Sequence, residues 1–315
     1  MTAPEGVRCM IMRGGSSKGA YFVADDLPTN STERDSFLLE MMGSPDARQI
    51  DGMGGAHPLT SKVAIVARSS DARADIEYLF LQLGVDEATV SDRQNCGNLL
   101  AGVGPFAVER GLISVPDGDV EIRILMLNTD SVATASFRVE AGAPVYSGDV
   151  AISGVPGTAA PIRLDFEDIA GSTCGALLPT GNYVDVVEGI ECTLIDNGMP
   201  VVVMAAADLG VSGYEDCTDL EANTALRTQL ETIRAEAGRL MDLGDVSTTT
   251  IPKLTMVAPA RDGGNICTRT LIPHRCHDAI GVLGAVSVAT AALLPGTPAN
   301  GVLSGGDQGT VAIEH

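Results

Sequence analysis

Short apolar runs separated by glycine-rich and polar turns make up most of the chain, and this pattern predicts many strands and few helices. Four segments have helical features, namely residues 33–42, 99–108, 220–243 and 279–294. Residues 30–32, Asn-Ser-Thr, are a helix-start signal before the first of them, and Pro105 predicts a kink or a new start within the second. The predicted strands are residues 7–12, 20–23, 62–66, 75–83, 120–127, 133–139, 162–166, 190–195, 201–206, 254–257 and 266–272.

Glycine-containing turns separate these elements. Residues 116–119, Pro-Asp-Gly-Asp, and residues 196–198, Asp-Asn-Gly, are typical of hairpin turns. Residues 51–55 are dense in glycine and predict a flexible loop before the strand that begins at Lys62. The chain is therefore expected to consist mainly of strands joined by tight turns.

Two halves of the chain share one order of elements: strands, then a polar segment, then an apolar helix. The polar segment contains residues 96–98 in the first half and residues 276–278 in the second, and each triplet begins with a cysteine. No residue-level repeat accompanies this order, so the similarity is one of architecture. We therefore predict an α/β (α+β) protein with two domains, residues 1–182 and residues 183–315.

The composition limits the classes to which the protein can belong. Forty-one acidic residues against twenty basic ones give a net charge of −21 and a pI near 4.4, which argues against nucleic acid and anionic membranes as partners. The longest apolar run, residues 279–294, is too short to span a bilayer comfortably. Seven cysteines without paired spacing, and no secretory signal, predict a cytoplasmic protein with reduced thiols.

The polar segment before the second predicted helix is the first candidate for chemistry. Read as a helix start, it presents the Cys96 thiol and unpaired N–H groups that attract anions. Its other members, Asn95, Gly97 and Asn98, are expected to bind substrate. Lys62 is the expected partner of the thiol, because a lysine at the mouth of a buried strand is partly desolvated and can accept a proton.

Residues 15–19, Gly-Ser-Ser-Lys-Gly, follow a predicted strand and allow several interpretations. G-x-S-x-G is the pattern of a hydrolase nucleophile elbow with Ser17 as nucleophile, but an elbow turns into a helix and a strand is predicted here. The phosphate-loop pattern is not met. The favoured functional interpretation is a turn that holds a carboxylate, and a plain hairpin is the alternative. The carboxylate-binding residues would be Ser16, Ser17, Lys18 and Gly19.

Residues 274–277, His-Arg-Cys-His, raise the question of a metal site. The chain has only four histidines and no second cluster of ligands, so no metal is expected. Arg275 and His277 are expected either to contact an anion at the start of the last helix or to hydrogen-bond within a capped turn. No G-x-G-x-x-G pattern occurs, so a nucleotide cofactor has no support, and we predict no cofactor.

Several segments taken together resemble the family of 4-oxalomesaconate tautomerases and 2-methylaconitate isomerases. They are residues 12–19, 51–55, 61–64, 95–98, 103–107 and 295–297. The resemblance implies a diaminopimelate-epimerase-like fold, in which two pseudo-symmetric domains each wrap a curved, mostly antiparallel sheet around a central apolar helix, with the site in the cleft between them. Family members continue beyond a strand such as residues 310–315, so the closing strands of the second domain are expected to be incomplete.

Cofactor-independent proton transfer is the activity that the resemblance implies, with Lys62 and Cys96 as catalytic residues. The expected reaction is a 1,3-allylic shift or keto–enol tautomerisation in a small unsaturated oxo-tricarboxylate, and 4-oxalomesaconate from gallate or protocatechuate degradation is the favoured substrate. Isomerisation of 2-methylaconitate in propionate metabolism is the near alternative. A two-cysteine racemase that also uses Cys276, and a serine hydrolase that uses Ser17, are the others. A homodimer is left open.

Overall fold

The computed structural model describes residues 6–272, 275–305 and 309–315. The chain divides into two compact units, unit 1 being Met1–Asp168 and unit 2 being Ile169–His315. The domain boundary predicted between residues 182 and 183 thus lies inside unit 2. Residues just before it are drawn into unit 2 because Asp196 Oδ2 accepts hydrogen bonds from the N–H groups of Thr173 and Cys174, both at 2.8 Å.

Unit 1 contains nine strands and three α-helices among its described residues. The strands are β1 (Met10–Gly14), β2 (Ser17–Val23), β3 (Lys62–Arg68), β4 (Ile76–Leu83), β5 (Val90–Ser91), β6 (Gly118–Met126), β7 (Ser131–Glu140), β8 (Ala143–Pro144) and β9 (Arg163–Phe166). The helices are α1 (Ser31–Met42), α2 (Gly97–Leu100) and α3 (Val103–Glu109). The strands form one mostly antiparallel sheet of order β1-β2-β3-β4-β6-β7-β8, with β5 beside β4 and β9 beside β7. Among these pairs, β2–β3 and β4–β6 are parallel.

The two faces of this sheet bury different helices, because side chains alternate along each strand. Phe22 and Val63 point to one face, where they pack with Leu38 of α1 in one hydrophobic cluster. Tyr21 points to the opposite face, and its ring centroid lies 5.6 Å from that of Phe106 in α3. The sheet therefore holds α1 on one side and the apolar segment α2–α3 on the other.

Local signals in the sequence explain where the helices of unit 1 begin and end. Within the predicted start signal at residues 30–32, Asn30 is the cap of α1, since its Oδ1 accepts two backbone N–H groups at 3.0 and 3.1 Å, and Gly43 ends the helix in the left-handed conformation. The predicted helix at residues 99–108 is broken into α2 and α3. Pro105 lies in the first turn of α3, where its missing N–H would have had no helical partner.

The hairpin turn predicted at residues 116–119 is wrong. Gly118 begins β6 instead, and β6 pairs with β7 through a turn at residues 127–130. The Asp117 carboxylate accepts hydrogen bonds from the N–H groups of Ala141 and Gly142 at 3.0 and 2.9 Å. A Pro-Asp-Gly signal marks a hairpin only where the flanking segments pair with each other, and here the pairing lies further along the chain.

The glycines of residues 51–55 serve close packing. A Cβ on Gly52 would lie 2.2 Å from the carbonyl carbon of Met42, at the end of α1. A Cβ on Gly54 would lie 2.2 Å from the side chain of Gln49. The absence of side chains therefore lets this loop lie directly against its neighbours before β3 begins.

Unit 2 contains seven strands and four α-helices among its described residues. The strands are β10 (Asp185–Val187), β11 (Ile190–Asp196), β12 (Pro200–Ala205), β13 (Lys253–Ala258), β14 (Ile266–Ile272), β15 (Arg275–Cys276) and β16 (Ile313–Glu314). The helices are α4 (Cys217–Ala222), α5 (Thr224–Leu240), α6 (Val282–Leu293) and α7 (Pro298–Val302). The sheet has the order β10-β11-β12-β13-β14-β15, with β16 beside β14. It is again mostly antiparallel, and β12–β13 and β14–β16 are the parallel pairs.

The helices of unit 2 differ in two places from the prediction. The long helix expected at residues 220–243 is two helices, because Asn223 interrupts it and caps α5 by accepting the Leu226 N–H at 3.1 Å. The apolar helix expected from residue 279 begins at Val282. Helix α6 is tied to the sheet by the buried Ser287 hydroxyl, which donates to the Met199 carbonyl at 2.7 Å. No helix in the described ranges has the length and apolar character needed to cross a membrane.

Candidate active site

Lys62 is the first residue of β3 and is only 7% exposed. It pairs with Gly19 of the parallel strand β2 on one side and with Gln82 of β4 on the other. Side-chain alternation places it on the same sheet face as Phe80, and its Nζ lies 5.1 Å from the centroid of the Phe80 ring. This is the face that packs against α2 and α3, so the amine projects toward the start of α2.

Cys96 is the N-cap residue of α2 and is 8% exposed. Its Sγ accepts the Leu99 N–H at 3.5 Å, and Lys62 Nζ donates to the same sulfur at 3.5 Å. The structure thus brings together the amine and the thiol that the sequence singled out from different elements. Within the described part of the chain, no carboxylate lies within ion-pair distance of Lys62 to compete with the sulfur.

Two fully buried tyrosines hold the backbone of this short helix. The Tyr78 hydroxyl donates to the Cys96 carbonyl at 3.3 Å, and the Tyr21 hydroxyl donates to the Leu99 carbonyl at 2.6 Å. Burial raises the pKa of both tyrosines well above the ordinary value, and the proximity of Cys96 adds to the effect. Both hydroxyls therefore stay protonated and act as hydrogen-bond donors.

The β1–β2 hairpin brings Ser16 and Ser17 to the same region, and Lys18 follows them in β2. Gly15 and Ser16 form its two-residue turn, in which Gly15 has φ 52°. Asn98 Nδ2 donates to Ser16 Oγ at 3.0 Å, which joins the turn to α2. Ser17 is 1% exposed, and its Oγ has no hydrogen-bond partner among the described residues. Lys18 is exposed.

Gly14, Gly15 and Gly19 allow this hairpin to lie against α2. A Cβ on Gly14 would lie 2.4 Å from the Asn98 carbonyl oxygen, and one on Gly15 would lie 2.4 Å from Asn98 Oδ1. A Cβ on Gly19 would lie 2.6 Å from the Lys62 carbonyl oxygen. The glycines of the G-x-S-x-G pattern therefore permit close contact between strand, helix and hairpin.

Asn95 precedes the cysteine and is 4% exposed. Its Nδ2 donates to Thr129 Oγ1, in the β6–β7 turn, at 2.6 Å. Its Oδ1 is buried and has no partner among the described residues. Gly97 and Asn98, the next two predicted binding residues, are the first two residues of α2 and are also buried.

Arg275 and His277 belong to unit 2, where their predicted role in substrate binding stays a prediction. Arg275 is exposed in β15. His277 is buried, and its Nδ1 accepts the Ala279 N–H at 3.0 Å, which is the capped-turn arrangement given as its alternative role. His274 lies outside the described residues.

The expected parallel between residues 96–98 and 276–278 does not hold in the local structure. Cys276 lies in β15, whereas Gly281 is the N-cap residue of α6. Burial raises the pKa of the Cys276 thiol, and the neighbouring Cys217 raises it further. Cys276 is therefore a protonated thiol within a strand, without the helix-cap setting of Cys96.

Two other interpretations of the sequence can be compared with the geometry. The serine hydrolase alternative is wrong for Ser17, because G-x-S-x-G here joins two paired strands and no helix follows the serine. In residues 6–272, 275–305 and 309–315, no group of three or more His, Cys, Asp or Glu side chains is arranged to hold a metal ion.

Sequence reasoning missed Tyr21, Tyr78, Phe80 and Thr129. The first three lie in apolar strands and have the composition of ordinary core residues. A tyrosine in a buried strand is nevertheless a signal, because its hydroxyl needs a hydrogen-bond partner. Thr129 gives no such signal, since its partner Asn95 is far away in the sequence.

Comparison with known proteins shows that this chain is an enzyme of the isomerase class. The crystal structure of a methylitaconate-delta-isomerase superposes with a TM-score of 0.79 and 35% identity, over 98% of this chain and 86% of that one. The family model described as PrpF protein matches residues 5–315, and the chain belongs to the PrpF family.

Two other relatives are more similar to this chain in sequence than the methylitaconate-delta-isomerase is. The (4E)-oxalomesaconate Delta-isomerase of Novosphingobium sp. is 59% identical over 98% of this chain and 87% of its own length. The 4-oxalomesaconate tautomerase of Pseudomonas putida is 56% identical over 98% of this chain and 86% of its own length. The predicted family and the isomerase class are thereby confirmed. The crystal structure of a hydroxyproline epimerase from Agrobacterium vitis superposes with a TM-score of 0.53 and 16% identity, over 95% of this chain and 79% of that one, and confirms the predicted epimerase-like fold.

Proposed function

We propose that this protein catalyses a cofactor-independent 1,3-allylic proton shift in an unsaturated oxo-tricarboxylate, and that 4-oxalomesaconate is its substrate. The observation that carries the proposal is the buried 3.5 Å contact between Lys62 Nζ and Cys96 Sγ. The activities for which the Novosphingobium and Pseudomonas relatives are named support the choice of substrate, since both relatives align with almost the whole chain.

The proposed reaction uses the two side chains as base and acid. The Lys62 amine removes a proton from the carbon next to a carbonyl or conjugated alkene, and the C–H electron pair moves into the conjugated system to give a dienolate. The Cys96 thiol delivers a proton two carbons away, so the C=C bond changes position. The Lys62 ammonium then returns its proton to the Cys96 thiolate across 3.5 Å, which restores both groups.

Negative oxygens of the substrate and dienolate need donors close to this pair. We assign Ser16, Ser17, Lys18 and Gly19 on the hairpin, and Gly97 and Asn98 beside the cysteine, to this task, and we assign Asn95 to substrate binding through its side-chain amide. The buried Ser17 hydroxyl supports the assignment, because no described residue uses it. Lys18 supplies a positive charge in a protein whose net charge is −21.

Exchange of substrate protons with D₂O, followed by NMR, tests the assignment of catalytic residues. Wild-type protein is expected to incorporate deuterium at the carbons that gain and lose the double bond. Lys62→Ala and Cys96→Ala are each expected to slow net isomerisation by about 100-fold or more, as for loss of a general acid or base. Exchange at the wild-type rate in Lys62→Ala would remove the lysine from its role.

The chain offers a matched control for the lysine substitution. It contains three lysines, and Lys253 resembles Lys62 in being buried and in beginning a strand, β13, that is parallel to its neighbour. Lys253→Met is expected to leave proton exchange unchanged when compared at equal folded fraction. Substrate choice is tested separately by ultraviolet assays, in which 4-oxalomesaconate should turn over faster than 2-methylaconitate.

A further inference from the structure

Among the described residues, only one of the two polar atoms of the Asn95 side chain has a hydrogen-bond partner. Its Nδ2 donates to Thr129 Oγ1 at 2.6 Å, a short contact that orients the amide plane. Its Oδ1 is buried yet meets no donor among the described residues. Buried polar atoms are nearly always paired in folded proteins, so an exception of this kind needs an explanation.

A bound ligand is the explanation that fits the position of this oxygen. Asn95 directly precedes Cys96, whose sulfur is 3.5 Å from Lys62 Nζ, so the unused acceptor belongs to the residue next in sequence to the proposed proton donor. An amide oxygen can only accept hydrogen bonds. A carboxylate group also only accepts hydrogen bonds, so it cannot be the partner of Asn95 Oδ1.

We propose that Asn95 Oδ1, oriented by Thr129, accepts a hydrogen bond from a hydroxyl group of the ligand and so selects hydroxyl-bearing polycarboxylates. The inference rests on the proposed function, because an oxo-tricarboxylate presents such a hydroxyl in its enol form. Asn95 is then a specificity-determining residue and Thr129 a positioning residue that acts through it.

Isothermal titration calorimetry with three acids isolates this contact. Tricarballylate carries three carboxylates and no hydroxyl, whereas citrate and isocitrate are the same skeleton with one hydroxyl at different carbons. Wild-type protein is expected to bind the tighter of the two hydroxy acids about tenfold more tightly than tricarballylate, which corresponds to about 1.4 kcal/mol. The measured quantity is this ratio of dissociation constants.

Two substitutions at one position separate positioning from folding. Thr129→Val keeps the shape of the side chain but removes the acceptor, and it is expected to reduce the ratio to about twofold or less. Thr129→Ser keeps the hydroxyl and should retain the ratio. Thr134→Val, the same substitution within β7, is the control that should leave it unchanged. General destabilisation would weaken all three acids together and would not change their ratio.

Three results would overturn the inference: equal binding of tricarballylate and both hydroxy acids to the wild type, no measurable binding of either hydroxy acid, or an unchanged ratio in Thr129→Val. Equal or tighter binding of tricarballylate would indicate that the amide presents a donor at this position. A wild-type protein that fails to isomerise 4-oxalomesaconate would refute the proposed function, whereas the binding ratio would still be measurable.

Discussion

Gly19→Ala tests whether the contact between β2 and β3 holds Lys62 in its reactive position. The φ angle of Gly19 lies outside the left-handed region, so an alanine fits the local backbone and any effect comes from the added methyl group. That methyl group would lie 2.6 Å from the Lys62 carbonyl oxygen and 3.1 Å from Leu99 Cδ1, whereas ordinary contacts begin at 3.4 Å. The start of β3 must therefore move away from β2 by most of an ångström.

The size of this shift sets the expected effect. Forced overpacking costs about 1–3 kcal/mol of the free energy of unfolding. Misplacement of a catalytic group by about 1 Å costs about 100-fold in rate. Gly19→Ala is therefore expected to lower kcat by about 10- to 100-fold and the free energy of unfolding by about 1–3 kcal/mol.

The assay combines isomerisation of 4-oxalomesaconate, followed by ultraviolet absorbance, with urea unfolding of the same preparations. Gly301→Ala is the matched control, because nothing lies within 4 Å of a Cβ built on this glycine in α7. Its activity should be unchanged, and its stability should rise by up to about 1 kcal/mol through higher helix propensity. A Gly19→Ala protein with lower stability but wild-type kcat would refute the claim that this strand contact positions Lys62.

Three further predictions concern single side chains. Tyr78→Phe removes the hydrogen bond to the Cys96 carbonyl and should lower the free energy of unfolding by about 1 kcal/mol, measured in urea, with a several-fold loss of kcat. Cys276→Ser should retain activity, because that thiol lies in β15 and burial keeps it protonated. Burial lowers the pKa of His315 to about 4 in the folded protein. Between about pH 6.5 and pH 4, this histidine is therefore protonated in the unfolded chain but neutral in the folded protein. The free energy of unfolding should therefore fall by up to about 3 kcal/mol as the pH is lowered through that range, and His315→Asn should remove this part of the fall.

Each of these predictions has an outcome that contradicts it. Unchanged stability and kcat in Tyr78→Phe would show that the hydroxyl does not hold α2. Complete loss of activity in Cys276→Ser, with the protein still folded, would favour the two-cysteine racemase. Parallel pH–stability curves for the wild type and His315→Asn would show that the histidine is not protected from protonation in the folded protein.

Residue types and local patterns were sufficient to single out the two central residues of the candidate site. Lys62 stood out as a charged residue at the start of an apolar strand, and Cys96 stood out because Asn95, Gly97 and Asn98 around it are not typical of a packing cysteine. Both inferences depend on neighbours in the sequence. Tyr78, which holds the Cys96 carbonyl, could not be found in this way, because it lies in a different strand.

The turn at residues 116–119 shows where local patterns mislead. Its composition is that of a hairpin, but β6 forms its hairpin with β7 around residues 127–130. Strand pairing depends on which apolar faces can be buried together, and a turn signal carries no information about that. The interruption at Asn223 was not predicted either, because the helical pattern of apolar residues continues on both sides of this residue.

The order of amino acids by itself indicated most of the longer strands and helices, the start of α1 and the chemical groups available for proton transfer, because these depend on side-chain alternation, local hydrogen bonding and residue type. Tertiary structure alone decided that strand β3, beside β2, aims Lys62 at the sulfur at the start of α2, and that a turn far along the chain orients Asn95. Contacts between residues distant in sequence arise only when the sheet buries its faces, so no local pattern can encode a 3.5 Å distance between an amine and a thiol.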